Sequence, residues 1–287
     1  MPIDEDKYPA ESDRRRFVKG VVGSAALTGF GGVGAITVDS LTNPSGAGGG
    51  TVLSRVIENT AGPAPRGMPV IPIQFDEEGY LQGLFPEWEE VERQGRTIQI
   101  AETDIGGVTY GAEWFQYCGV QSYAGLQPDA DQDQYFRYTS NYEWHADMEG
   151  EKVHRSHFEG GDEFTSYEEW GNGIGESGIG KPASATWRSQ DVGGKDTMPV
   201  QIIKSTRVEE MTANTDDDFV QEAAPEGFIA NLNKCTHFCC VPGFKTQEGS
   251  VKFGAENDIY CQCHQSVYDP FSVVEAQFTA LPRPESD

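Results

Sequence analysis

Cys235-Thr236-His237-Phe238-Cys239-Cys240 and, further on, Cys261-Gln262-Cys263-His264-Gln265-Ser266-Val267-Tyr268 are the stretches that decide how this chain reads. Five of the six cysteines fall inside them, and the sixth is Cys118. A disulfide framework spreads its cysteines along the chain, whereas clustered cysteine with interleaved histidine reads first as metal binding. Each stretch offers one ligand pair, Cys235 with His237 and Cys261 with His264. Thiolate with imidazole suits an iron–sulfur cluster or zinc, and composition alone does not choose between them. Cys240 and Cys263, one in each stretch, tilt the balance. If joined they would staple the two ligand loops together, which an ordinary zinc knuckle does not need.

Outward from these boxes the chain is acidic. It has 287 residues, with 46 Asp plus Glu against 21 Lys plus Arg and a net charge of −25. That balance excludes a nucleic-acid partner, because nothing here neutralises a run of phosphates. Spread along the chain, such an excess is a solvated surface that keeps a protein soluble. It resembles the acidic proteins of salt-loving archaea, and an acidic patch for a basic partner is the alternative reading.

The first residues read as targeting rather than fold. Arg14-Arg15-Arg16-Phe17-Val18-Lys19 precedes an uncharged stretch, 20–38. Twin arginine, Phe, an apolar residue and Lys resemble the twin-arginine export signal, whose pathway carries folded proteins with cofactors in place. The stretch is long enough to span hydrocarbon as a helix, and 1–41 is expected to be signal and membrane anchor. Residues 42–50, Thr-Asn-Pro-Ser-Gly-Ala-Gly-Gly-Gly, are a hinge that can form no core.

Residues 51–287 form the expected head domain, mainly β. Stretches 52–57, 70–75, 97–101, 200–205 and 227–231 have strand composition. Stretch 81–94 reads as a short helix. About 105–195 the chain is dense in Trp, Tyr, Gly and acids and reads as a large surface insertion with some short strands. Gly173-Ile174-Gly175-Glu176-Ser177-Gly178 spells a dinucleotide fingerprint without the strand before and helix after that it needs. Asp129-Ala130-Asp131-Gln132-Asp133 starts like a calcium loop, but Gln134 stands where Gly is required. His145, His154 and His157 lack a ligand pattern and read as surface or structural residues.

The two boxes resemble the Rieske iron–sulfur family, whose motifs run Cys-Thr-His-x-Gly-Cys and Cys-Pro-Cys-His-Gly-Ser. The match is specific and covers the chain directly only from Cys235 to Tyr268, in a cluster-binding subdomain of about 230–272. It implies an antiparallel β-sandwich with that small subdomain, preceded by one N-terminal membrane helix. It implies a [2Fe-2S] cluster with one iron on Cys235 and Cys261 and the other on His237 and His264. It implies a Cys240–Cys263 disulfide. Ser266 and Tyr268 match the hydroxyls that raise potential in the family by hydrogen bonding to sulfur. Rieske centres as a class span roughly −150 to +300 mV, and these hydroxyls put this one toward the upper end. Leu281-Pro282-Arg283-Pro284 stands in the place of the family's shielding proline loop.

The chain departs from the family at several points. Cys239 replaces Gly, which opens a bond to Cys118. Gln262 and Gln265 replace Pro and Gly. The linker 241–260 is longer than usual, and the closing strand is missing or supplied by the insertion.

With signal and hinge, the layout resembles the Rieske subunit of a quinol–cytochrome c reductase. That resemblance implies a head outside the cell membrane. His264, with His237, would meet quinol. The second quinol electron would go to a cytochrome b subunit, and the acceptor would be a c-type cytochrome or a blue-copper protein. The rivals are the Rieske subunit of an exported arsenite-type oxidase, the Rieske part of a ring-hydroxylating oxygenase, and a structural zinc module.

Overall fold

Residues 52–57 form a short, largely apolar run, and this segment lies in β1 (Gly50–Ala61) with Val56 and Ile57 buried. The computed structural model describes residues 50–93, 96–116 and 123–281. The expected signal and anchor, nearly all of the expected hinge, Cys118 and residues 282–284 lie outside the described residues. Among the described residues no helix is long and apolar enough to cross a membrane.

After β1 come β2 (Met68–Pro69) and three hairpins. These are β3 (Ile73–Phe75) with β4 (Leu81–Gly83), β5 (Glu89–Arg93) with β6 (Arg96–Ile100), and β7 (Glu102–Ile105) with β8 (Val108–Gly111). An irregular stretch leads through β9 (Arg137–Tyr138) to β10 (Lys181–Trp187) and β11 (Met198–Lys204). Helices at Thr206–Asn214 and Asp218–Ala223 precede β12 (Phe228–Leu232). Then follow β13 (Gly243–Phe244), β14 (Ile259–Cys261) and β15 (Ser266–Ala280).

The fold is mainly β, and its paired strands run antiparallel. One sheet has the order β13-β14-β15-β1-β2 and a second the order β12-β11-β10-β9. Ile57 and Met68 of the first sheet share one core with Ala183, Val200 and Ile202 of the second. Ile71 N donates to Ala230 O at 2.8 Å, which ties the chain after β2 to the second sheet. The strand that closes the first sheet is β15. It starts at Ser266 in the second box and runs back along β1 as far as Ala280, opposite Gly50. The expectation of a missing or borrowed closing strand is corrected by this pairing.

Two further readings are corrected. Stretch 81–94 is not a helix: it holds β4 and β5. Pro86 interrupts it, and Glu90-Val91-Glu92 alternates with the period of a strand. Stretch 105–195 is more than a surface elaboration. It supplies β9 and β10 and buries Tyr110, Trp114, Phe115, Phe136 and Trp187 in the main core. These rings meet edge to face, as Tyr110 and Trp114 do at 5.0 Å and 84°, and the Tyr110 hydroxyl donates to Leu84 O. Gly173–Gly178 and Asp129–Asp133 lie in turns and loops, as their sequence context suggests.

Candidate functional site

The site is two turns hung from neighbouring strands. The second box is the loop of the β14–β15 hairpin, with Cys261 paired to Ser266. The first box follows β12 and leads into β13, whose Gly243 and Phe244 pair with Tyr260 and Ile259 just before Cys261. Both turns close alike. Cys239 N donates to Cys235 O, and Gln265 N donates to Cys261 O, each at 2.9 Å. The closing residue of each is left-handed, with φ +61° at Cys239 and +58° at Gln265. That region suits glycine and costs an L-residue about 1 kcal/mol. The two positions are those at which the Rieske pattern has glycine.

The expected donors meet as two pairs, thiol with thiol and imidazole with imidazole. Cys235 and Cys261 are buried thiols that hydrogen-bond to each other. The His237 and His264 rings are 4.7 Å apart and edge to face, with His264 exposed and His237 half-buried. Cys240 and Cys263 form the expected disulfide across the two loops. Cys239 is disulfide-bonded too, and Cys118, to which the sequence leaves a bond open, lies outside the described residues. The sulfurs of Cys240, Cys261 and Cys263 also lie within 4.8 Å of one another. Two of those three are joined in the disulfide, so of this trio only Cys261 has a thiol to give a metal.

The surroundings polarise the sulfurs. Tyr268 is fully buried, and its hydroxyl donates to Cys235 Sγ at 3.2 Å while accepting from Thr236 N at 3.3 Å. The Cys261 thiol first, and the Tyr268 hydroxyl next among the lowering influences, hold the Cys235 thiol down to about 5. Cys261 is pushed up by that shared hydrogen bond and by burial. Ser266 is the weakest of the influences on Cys235, and its buried Oγ makes no well-formed hydrogen bond. His237 Nδ1 is likewise buried without a hydrogen-bond partner. A buried polar atom left unsatisfied costs about 1–3 kcal/mol, so these orphans mark a place where a bound group would supply the partner. Two thiols within and two imidazoles at the rim suit zinc or an iron–sulfur cluster.

Several residues that shape the site were not legible beforehand. Gly62 packs backbone against the second loop, where a Cβ would lie 2.5 Å from Gln265 O. Thr236 Oγ1 donates to Arg66 O at 2.5 Å, and Asn233 Nδ2 donates to Pro242 O at 2.9 Å. Phe238, 67% exposed, stands with its ring 4.3 Å from that of His237. Gly62 lies in a turn-rich run, but nothing in that run names its partner. Leu281, at the start of the expected shielding loop, exchanges two hydrogen bonds with the Gln116 side chain. The other histidines are engaged elsewhere. His145 Nε2 accepts from Ser184 N, His154 Nε2 meets Glu78 O, and His157 Nδ1 meets the Tyr138 hydroxyl.

No protein-family model, curated protein or solved structure matches the chain. Fold and site together define a class by themselves: a mainly β protein with two cysteines and two histidines gathered on disulfide-stapled loops.

Proposed function

We propose that this chain is a membrane-anchored Rieske-type electron-transfer subunit. It takes an electron from quinol and passes it to a c-type cytochrome or blue-copper protein outside the cell membrane. One observation carries the reading. Two turns of the same shape, left-handed where the Rieske motifs have glycine, set Cys235 against Cys261 and His237 against His264. The two antiparallel sheets, with the boxes at the ends of their strands, fit the sandwich and subdomain that the motifs imply.

A [2Fe-2S] cluster held by these four residues supplies a one-electron acceptor of high potential. The chain's own groups do the rest. Buried Cys235 and Cys261 hold the inner side away from water. Tyr268, and Ser266 once it has a partner, donate toward sulfur and favour the more negative state. His264, exposed, accepts a hydrogen bond from a quinol hydroxyl and takes its proton as the electron leaves. The segment before β1 tethers the head to the membrane and lets it travel between donor and acceptor. Cytochrome b takes the second electron.

Absorption, paramagnetic resonance and redox titration of the membrane-bound protein, with and without quinol, test this. The expected result is a reduced-state resonance signal and a potential that falls as pH rises. A pH-independent potential, or a zinc-loaded protein silent in both spectra, would overturn it. His264→Ala should lose the native signal, and His154→Ala should keep it.

A further inference from the structure

The hairpin that carries both boxes is short. β13 and β14 are joined through two residue pairs, Gly243 with Tyr260 and Phe244 with Ile259. So small a hairpin is marginal by itself. β14 also pairs with β15, while the β13 side is held by the 141–180 stretch.

We propose that Asn172 and Lys245 are positioning residues of the site, through which the 141–180 stretch clamps the β13–β14 hairpin and sets the spacing of the two boxes. Asn172 Nδ2 donates to Lys245 O at 2.6 Å, and Lys245 Nζ donates back to Glu176 O. Glu176 N donates to Asn257 Oδ1 at 2.8 Å, just ahead of β14. The buried Tyr142 hydroxyl lies 2.9 Å from Phe244 O and from Gln201 Oε1, and so bridges β13 to the second sheet. Gly175 is pressed so closely on Asn257 Oδ1 and Glu256 O that no Cβ fits. One loop therefore grips the linker between the boxes near both of its ends.

Lys245 is an expensive choice for this task. It is 1% exposed and left-handed at φ +55°. It has no carboxylate within ion-pair distance among the described residues, in a chain with 46 acids. A buried ammonium whose Glu176 counter-charge acts only from beyond ion-pair distance is costly, so its worth lies in where its hydrogen bonds hold the chain. Beside it a cavity of about 620 Å³, lined in part by Tyr142, Trp144, Trp170 and Lys181, leaves polar bonds rather than apolar packing to carry the contact.

The test compares Asn172→Ala and Lys245→Met with Lys195→Ala, an exposed control, in the full chain. Hydrogen exchange is read in the protein without metal. Linewidth of the reduced resonance signal and rate of cluster loss to a chelator are read in the loaded protein. Each clamp variant should speed exchange at 243–244 and 259–261 by about tenfold, the loss of one hydrogen bond, and leave β11 unchanged. The resonance signal should broaden and cluster loss should quicken. Unchanged exchange in the hairpin, or equal acceleration throughout the fold, overturns the clamp. The spectroscopic arm rests on the Rieske reading, and the exchange arm does not. A wild-type protein that takes up no cluster counts against the proposed function, while the exchange data still decide the clamp.

Discussion

The Tyr268 oxygen stands 3.2 Å from the Cys235 sulfur, and the rest of its ring is buried. Tyr268→Phe removes that oxygen and little else. A donor to a ligand sulfur favours the reduced, more negative state, so the variant's potential should fall by on the order of tens of millivolts. Spectroelectrochemistry checks this, and an unchanged potential would remove Tyr268 from the site. Two other residues make pH predictions of opposite sign. Burial pushes His145 down to about 4. Above the unfolded value of about 6.5 both states are neutral. As pH falls toward 4 only the unfolded chain takes the proton, so stability is lost across that window. Asp258 is pushed up to about 6 by burial, then by Asp269 and Glu256. Its contribution is full below about 3.9 and is lost as pH rises through 6. Urea unfolding should therefore find His145→Gln less sensitive to acid between pH 6.5 and 4. Asp258→Asn should gain stability at pH 7 relative to pH 4, by about 1 kcal/mol after solvent screening. The donors were legible because residue type and spacing are themselves the chemistry. The left-handed backbone at Cys239 and Gln265 was not, because neither residue type announces positive φ.

Among the elements, the two box turns depend on each other through the Cys240–Cys263 disulfide, which spans 23 residues. Closing a loop of that length removes unfolded-state entropy worth about 3 kcal/mol. Cys240→Ser should lower the unfolding free energy by about that much, and it should do so in metal-free protein, where only the staple differs. Equal stability of variant and wild type would mean the bond does not form in the native chain. Cys239 shares the staple's chemistry, since it too is disulfide-bonded. The strands were legible from alternation in β6 and from strand composition in β1, β11 and β12. They were missed in β4 and β5, where charged residues at 87–92 masked a period of two. The aromatic core of 105–195 was illegible for a different reason. Trp114 and Phe115 sit in a single 3-10 turn, so no regular spacing marks them as inward-facing.

At the scale of the whole molecule the charge dominates. A net −25 on 287 residues leaves most carboxylates without a cation to face, since Lys plus Arg number 21. Several of those cations are committed inside the fold: Arg55 to Asp217 and Glu275, Lys204 to Glu209, Lys181 to backbone carbonyls. The remaining carboxylates repel one another across the surface, and the compact state suffers more than the expanded one. Screening length falls from about 10 Å at 0.1 M salt to about 3 Å at 1 M. The repulsion is spread over the exposed surface and is screened strongly. Attractions such as Arg55 with Asp217 are short and partly buried and are screened little. The thermal midpoint should therefore rise with potassium chloride, most steeply below about 1 M, where screening changes most. The same titration at pH 4, with part of the acids protonated, should give a shallower rise. Preferential exclusion of salt from the surface would instead keep raising the midpoint at high concentration whatever the pH. A midpoint that is flat or falls with salt at pH 7 would show that specific ion pairs, not diffuse repulsion, set the stability of this acidic fold.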